Sequence, residues 1–520
     1  MTNAQIVFNK AIGGSGENKA SCVRKTLDGG YIIVGYRNTF GASDKDVYVI
    51  KTNAFGDTVW TRTYGGALAD YGSAIIENPA GSYVIVGSTN SFGAGLQDIY
   101  VICINGIGDT LWTRTYGGAS LETGSDIKRL SNGDYLILGS TNSFGAGGSD
   151  IYLIRINSNG DTVWTRTYGG AVDETGNSLQ LTASGGFVIT GSTTSFGAGS
   201  SDIFFITTND SGNVVNSTIT YGGPNGNEYG NCGIQTTDGG YLLAGSTTSY
   251  GAGYNDAYLI KTDINGTIQH QKTFGGTSYD LANQVQQTSD GGFIIVGSTQ
   301  SFGNGSSYIY LIKTDVTLVL NWSKYMGGSS GSEGNSVMQT PDGGYIVAGS
   351  ILNLITGYYD IYLVKTDANG FSGCNDFPAT NTLINTPFTQ TTNPFPEFSF
   401  GCHPLRDSTI VGHGGKDSTI CFYWEGIDEL PVISGESLLY PNPASNETHL
   451  IIHSTNHFNE PINIKMYDVL GKELRLHHTI ENSNANSIQL LLETRGIPKG
   501  IYSIKTNIGD KYYSNILIIQ

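Results

Sequence analysis

The amino-acid sequence predicts an all-β chain in two parts, a long array of repeated four-stranded units and a small β-sandwich. Three observations carry that expectation. An internal repeat of 52 or 53 residues runs through the first 370 positions. Every copy holds short runs rich in β-branched and aromatic residues, bounded by turn residues, as strands require. Glycine, at 73 of 520 residues, and 31 tyrosines suit many short strands joined by tight turns, and helical periodicity is nearly absent.

The repeat decides the architecture. The second glycine of a Gly-Gly pair recurs at Gly14, Gly66, Gly118, Gly170, Gly223, Gly276 and Gly328, which makes seven copies. A strand-ending glycine recurs at Gly35, Gly87, Gly139, Gly191, Gly245, Gly297 and Gly349. Eleven residues after each stands Asp46, Asp98, Asp150, Asp202, Asp256, Tyr308 or Asp360, so this loop keeps one length. In the first copy the four strand-like runs are SCVRKT, GYIIVGY, DVYVIKT and DTVWTRTY. A four-stranded unit repeated about every fifty residues reads as a propeller blade.

The ends of the array predict closure. The chain starts with QIVFNKAIGG, where Phe8 and Lys10 precede Gly14 as Trp60 and Arg62 precede Gly66. That is a fourth strand without its own first three. The seventh copy supplies NSVMQT, GYIVAGS and DIYLVKT and then stops near Gly370 without a fourth. The N-terminal strand is therefore expected to complete the last blade of a seven-bladed β-propeller, leaving no open edge. The repeat pattern resembles the bacterial propeller family known for SBBP repeats over roughly residues 5–370. That resemblance implies the fold and a surface or secreted setting more than an activity.

After Gly370 the chain turns irregular and rich in Thr, Asn and Pro, and residues 371–436 read as a linker or insert between the propeller, 1–370, and a C-terminal domain, 437–520. The insert holds Cys374, Cys402, Cys421, His403 and His413; one disulfide plus an odd thiol is preferred over a metal cage because the spacing is irregular. Cys22, Cys103 and Cys232 stand singly in separate copies and read as small buried hydrophobes.

From Ser437 period-two strands return, and an immunoglobulin-like sandwich of about eighty residues suits them. Tyr440-Pro441-Asn442-Pro443, Tyr467-Asp468-Val469-Leu470-Gly471-Lys472 and Gly500-Ile501-Tyr502 resemble the type A sorting domain of the type IX secretion system of Bacteroidota. The resemblance implies a secreted or outer-membrane-surface protein, with the secretion translocon as a partner and Pro441, Asn442, Pro443, Gly471, Gly500 and Tyr502 as the motif. The chain opens MTNAQIVF without an apolar leader, so its start is expected to be truncated.

Composition narrows the partners. With 27 basic against 44 acidic residues the net charge is −17, which opposes a phosphate backbone, so nucleic acid is not expected. No stretch approaches the roughly eighteen consecutive apolar residues of a membrane helix. A monomer is expected, with an unknown surface glycan or protein as ligand. One acidic residue per copy, Glu17, Asp70, Glu122, Glu174, Glu228, Asp280 and Glu333, falls three to five positions after the Gly-Gly pair. A ring of such oxygens would suit Ca²⁺ or another cationic ligand, and no other cofactor is implied. The structural alternative, that each carboxylate accepts backbone N–H bonds inside its own blade or caps the adjacent one, explains better why every copy has one.

Catalysis has few candidates. His270 is the only histidine before residue 371, so a Ser–His or Cys–His arrangement is nearly excluded from the repeats, and no catalytic set is recognised. The near-interchangeable copies also argue against an active site. They break at Tyr308, at ILNLITGYY in the seventh copy and at YRNTFGASDK in the first, and a ligand is expected near those blades. The aromatic of each SFGAG loop, such as Phe92 or Phe144, reads as a plug between blades before it reads as a sugar platform. The expected function is thus a non-enzymatic binding or display module for a glycan, protein or cation. The alternative is a polysaccharide hydrolase or lyase working through carboxylates on one face.

Overall fold

The computed structural model describes residues 6–14, 16–38, 45–215, 218–327, 331–381, 389–393, 410–412, 416–424, 437–440, 447–453, 462–467, 473–484, 487–498, 500–508 and 511–519. Every regular element among them is a strand. The chain divides into two compact units, Met1–Glu425 and Gly426–Gln520.

The first unit is built of antiparallel sheets that repeat with the sequence. Sheet 1 comprises Asn18–Lys25, Tyr31–Asn38, Lys45–Thr52 and Thr58–Gly65 in chain order. Sheets 2 to 6 begin at Asp70, Glu122, Glu174, Glu228 and Asp280 and follow the same order. Sheet 7 takes three strands from its own copy, Ser332–Gln339, Tyr345–Leu352 and Tyr359–Thr366, and its fourth is Ile6–Gly13. That N-terminal strand pairs antiparallel with Tyr359–Thr366, with Lys10 opposite Leu363.

The first strands of successive sheets neighbour one another, and that of sheet 7 lies beside that of sheet 1. The arrangement is propeller-like. Its core lies between sheets, because the middle strands are apolar on both faces. Ile151, Tyr152, Leu153 and Ile154 are all fully buried. One cluster joins Val84 and Tyr116 of sheet 2 to Ile137 and Tyr152 of sheet 3, and another joins Ile346 and Leu363 of sheet 7 to Ile33 and Tyr48 of sheet 1. Each such side chain contributes about 2 kcal/mol by leaving water.

Two devices recur. A bulge interrupts each first strand, and the extra residue is Ser21, Ser73, Ser125, Asn177, Asn231, Asn283 or Asn335. The asparagine amides donate to a carbonyl of the next first strand: Asn177 to Gly230 at 2.8 Å, Asn231 to Ala282 at 3.0 Å, Asn283 to Gly334 at 2.8 Å and Asn335 to Ala20 at 2.8 Å. The bulge also explains the strand-ending glycines, since a Cβ at Gly139 would overlap the Thr123 carbonyl of the bulged neighbour. On the outside, tyrosine hydroxyls of fourth strands reach the next sheet's last turn. Tyr64 donates to the Gly108 carbonyl and Tyr116 to that of Gly160, both at 2.6 Å.

Four described strands between residues 376 and 424 join sheets of the first unit. Asp376–Pro378 pairs with the outer strand of sheet 6, Thr389–Asn393 with that of sheet 4, Ile410–Gly412 with that of sheet 1 and Lys416–Trp424 with Ile6–Gly13. The segment adds a fifth strand to four sheets and covers the N-terminal strand on its open side. Cys374 is disulfide-bonded, while Cys22, Cys103 and Cys232 are free and buried.

The second unit has two four-stranded antiparallel sheets, one containing Glu447–His453 and Ser487–Glu493, the other Ile462–Tyr467 and Gly500–Ile508. Leu450, Ile488 and Leu490 of the first share a buried core with Met466, Ile504 and Leu517 of the second.

Candidate functional site

The acidic residue opening a first strand sits at the junction with the preceding sheet. Asp70, Glu122, Glu174, Glu228 and Asp280 are fully buried. Glu174 shows the pattern: one oxygen accepts the Gly170 amide at 2.6 Å, the other the Thr193 hydroxyl at 2.6 Å and the Ser195 amide at 3.3 Å. Glu122 and Glu228 repeat it with Gly118 and Thr141, and with Gly223 and Thr247. These carboxylates staple the incoming chain to a loop of their own sheet and face protein on all sides.

Glu17 and Glu333 do not belong to that set. Strand register places Asn18 and Ser332 at the equivalent position, since Asn18 opposes Arg37 and Ser332 opposes Ile351 as Glu122 opposes Thr141. Being one residue away turns a side chain to the other face of a strand. Tyr308 is also resolved by this register. It is buried, its hydroxyl donates to Asn304 Oδ1 at 2.7 Å, and its ring meets Tyr325 edge-on at 5.4 Å. It replaces an aspartate where Ser332 replaces the partner acid, and it serves packing. The SFGAG aromatics are half-buried and meet a third-strand ring, Phe92 against Tyr100 at 5.6 Å and Phe144 against Tyr152 at 5.6 Å.

The displaced glutamates enter a different cluster. First strands of successive sheets are neighbours, and the second residues of those in sheets 7, 1 and 2 are Glu333, Lys19 and Tyr71. Lys19 Nζ pairs with Glu333 at 3.3 Å and lies 4.3 Å above the Tyr359 ring. Lys45 Nζ pairs with Glu17 at 2.9 Å and lies 4.3 Å above the Tyr36 ring, which meets Tyr71 edge-on at 5.3 Å. All seven side chains are partly exposed. Burial acts first on Tyr36, raising its hydroxyl pKa, and Glu17 adds to the rise. Ser88, Ser140 and Ser192 stand where Tyr36 does, while the position of Tyr71 is taken by Thr123 and Thr175 in sheets 3 and 4 and by Tyr229 and Leu281 in sheets 5 and 6. Tyr36, Lys45 and Tyr359 lie in the segments where the repeat visibly breaks. Lys19 and Tyr71 required the register of the bulged strands.

In the second unit Tyr502 is buried and its hydroxyl donates to the Pro498 carbonyl at 2.6 Å, while Gly500 opens its strand opposite Ile519. Pro441, Asn442, Pro443 and Gly471 lie outside the described residues, as do Cys402, His403 and His413.

Residues 438–520 match the secretion system C-terminal sorting domain. The match covers the strands of the second unit and leaves the repeats outside it. A sorting domain of this kind indicates export through the type IX secretion system, so the protein is secreted or stands at the cell surface. No curated protein matches the chain. Among the described residues no helix is long and apolar enough to cross a membrane, and no group of three or more His, Cys, Asp or Glu is placed to hold a metal.

Proposed function

We propose that the sorting domain exports a seven-bladed β-propeller of the SBBP-repeat kind, which acts outside the cell as a non-enzymatic binding module for glycans. The mouth over sheets 7, 1 and 2 is the binding site. The observation that carries this reading is the coincidence there of tyrosine rings with paired lysines and carboxylates, each lysine lying over a ring and against a carboxylate. Sugars are held by such a mixture, with aromatic faces against their C–H surfaces and charged groups on their hydroxyls. The alternative, a polysaccharide hydrolase or lyase, has less support, because the repeated carboxylates it would use are enclosed by protein.

The test is a glycan array probed with the full chain, followed by reducing-end analysis of each bound polysaccharide. Binding without release of ends is expected, and Tyr71→Ala should weaken it about tenfold, equivalent to ~1.4 kcal/mol. Release of ends, or binding unaffected by Tyr71→Ala and Lys19→Ala, would overturn the proposal.

A further inference from the structure

Several junctions between sheets bury two carboxyls. A β-carbon built on Gly169 would collide with both Asp150, opening a third strand of sheet 3, and Glu174, opening the first strand of sheet 4. Gly222 is crowded in the same way by Asp202 and Glu228, and Gly275 by Asp256 and Asp280. All six residues are at most 1% exposed. In each aspartate Oδ2 accepts loop amides, Asp150 from Ala146 at 3.1 Å, Asp202 from Gly199 at 3.1 Å and Asp256 from Ala252 at 3.0 Å. The other oxygen, Oδ1, is buried without a partner in all three.

Two junctions of the same ring show how that conflict is otherwise removed. Between sheets 7 and 1 the partner acid is replaced by Asn18, whose Nδ2 donates to Asp360 Oδ1 at 3.4 Å. Between sheets 6 and 7 both acids are gone, replaced by Tyr308 and Ser332. In these three pairs no described residue donates to the orphaned oxygen of Asp150, Asp202 or Asp256, and two buried carboxylates side by side cannot both stay ionised.

We infer that the pairs Asp150–Glu174, Asp202–Glu228 and Asp256–Asp280 are proton-binding sites, each pair sharing one proton that bonds its two carboxyls across the junction between sheets. The proton supplies the donor that Asn18 supplies elsewhere. The titratable groups acting on the pairs are themselves acids or phenols: Asp173 beside Asp150, Tyr258 facing Glu228 and Tyr310 facing both Asp256 and Asp280. Burial, reinforced by the partner acid, pushes Asp150 and Asp256 up to about 6 and moves Asp202 in the same direction. A carboxyl raised in the folded state gives stability that is complete below the unfolded value of about 3.9 and is lost as pH rises through the folded value.

The test compares the full chain at pH 5 and pH 8. Infrared difference spectra between the parent and its triple asparagine variant should show three more protonated carboxyls per chain in the parent at pH 5, above the partial protonation of ordinary carboxyls that both share, and almost no difference at pH 8. The triple variant Asp150→Asn, Asp202→Asn, Asp256→Asn places an amide donor at each orphaned oxygen. It should lose the infrared band and melt higher than the parent at pH 8. Should the triple variant not fold, Asp150→Asn alone is expected to remove one third of the band. A parent without that excess of protonated carboxyls at pH 5, or a parent whose melting temperature at pH 8 rises on adding Ca²⁺ through these same aspartates, would overturn the inference.

Discussion

A buried lysine held by an exposed aspartate marks the turn between the first and second strands in four copies. Lys51 meets Asp28 at 2.8 Å, Lys261 meets Asp238 at 2.8 Å, Lys313 meets Asp290 at 3.0 Å and Lys365 meets Asp342 at 2.9 Å. The lysine also donates to a strand-end carbonyl, as Lys51 does to Thr52 at 2.9 Å, so the ammonium is satisfied although buried. Burial disfavours the charged form of Asp28, but hydrogen bonds from Lys51, Thr26 and the Gly30 amide outweigh it and bring Asp28 to about 2. Asp238 is brought to about 2 by the equivalent groups. A lowered carboxyl stabilises above its unfolded value of about 3.9 and ceases to do so as pH falls through its folded value. Stability is therefore expected to fall between about pH 4 and pH 2, and Asp28→Asn with Asp238→Asn should flatten that limb in acid titrations followed by circular dichroism. A limb unchanged in this variant would assign the acid loss to other groups.

At the scale of elements, the first strands tie successive sheets together, since in four of them the bulge supplies the asparagine that reaches its neighbour. Asn335 does this between the last sheet and the first, where the chain is not continuous. Asn335→Ala is expected to lower unfolding free energy by about 1 kcal/mol, the net worth of one hydrogen bond, measured by denaturant titration of the full chain. The four-stranded repeat, the loop lengths and the pairing of the N-terminal strand with the seventh copy were legible because Gly, Asp and Tyr recur at constant spacing. The fifth strands were not. TQTTN and DFP have little apolar pattern, and what recruits them is an exposed sheet edge, which local sequence does not display. Glu17 and Glu333 were misplaced by one residue for a related reason: spacing from the glycine pair locates a loop, whereas only strand pairing settles which face a side chain takes. At the mouth, the breaks in the repeat pointed to Tyr36, Lys45 and Tyr359, but their meeting with Lys19 and Tyr71 depends on sheets 7, 1 and 2 being neighbours.

At the scale of the whole molecule, export and fold fit together. The sorting domain lies in a compact unit of its own with a separate core, and the described strands between 376 and 424 pair with the sheets of the other unit. A disulfide at Cys374 suits a protein that works outside the reducing cytoplasm. The free cysteines are buried, and burial raises the Cys103 thiol to about 11, which keeps it unreactive there. The most direct measurement is fractionation of a host that carries the type IX system, expressing either the full chain or a chain ending at Trp424, each behind the same inner-membrane leader. The full chain should reach the cell surface or the medium and the shortened chain should remain folded in the periplasm; equal release of both would contradict the account.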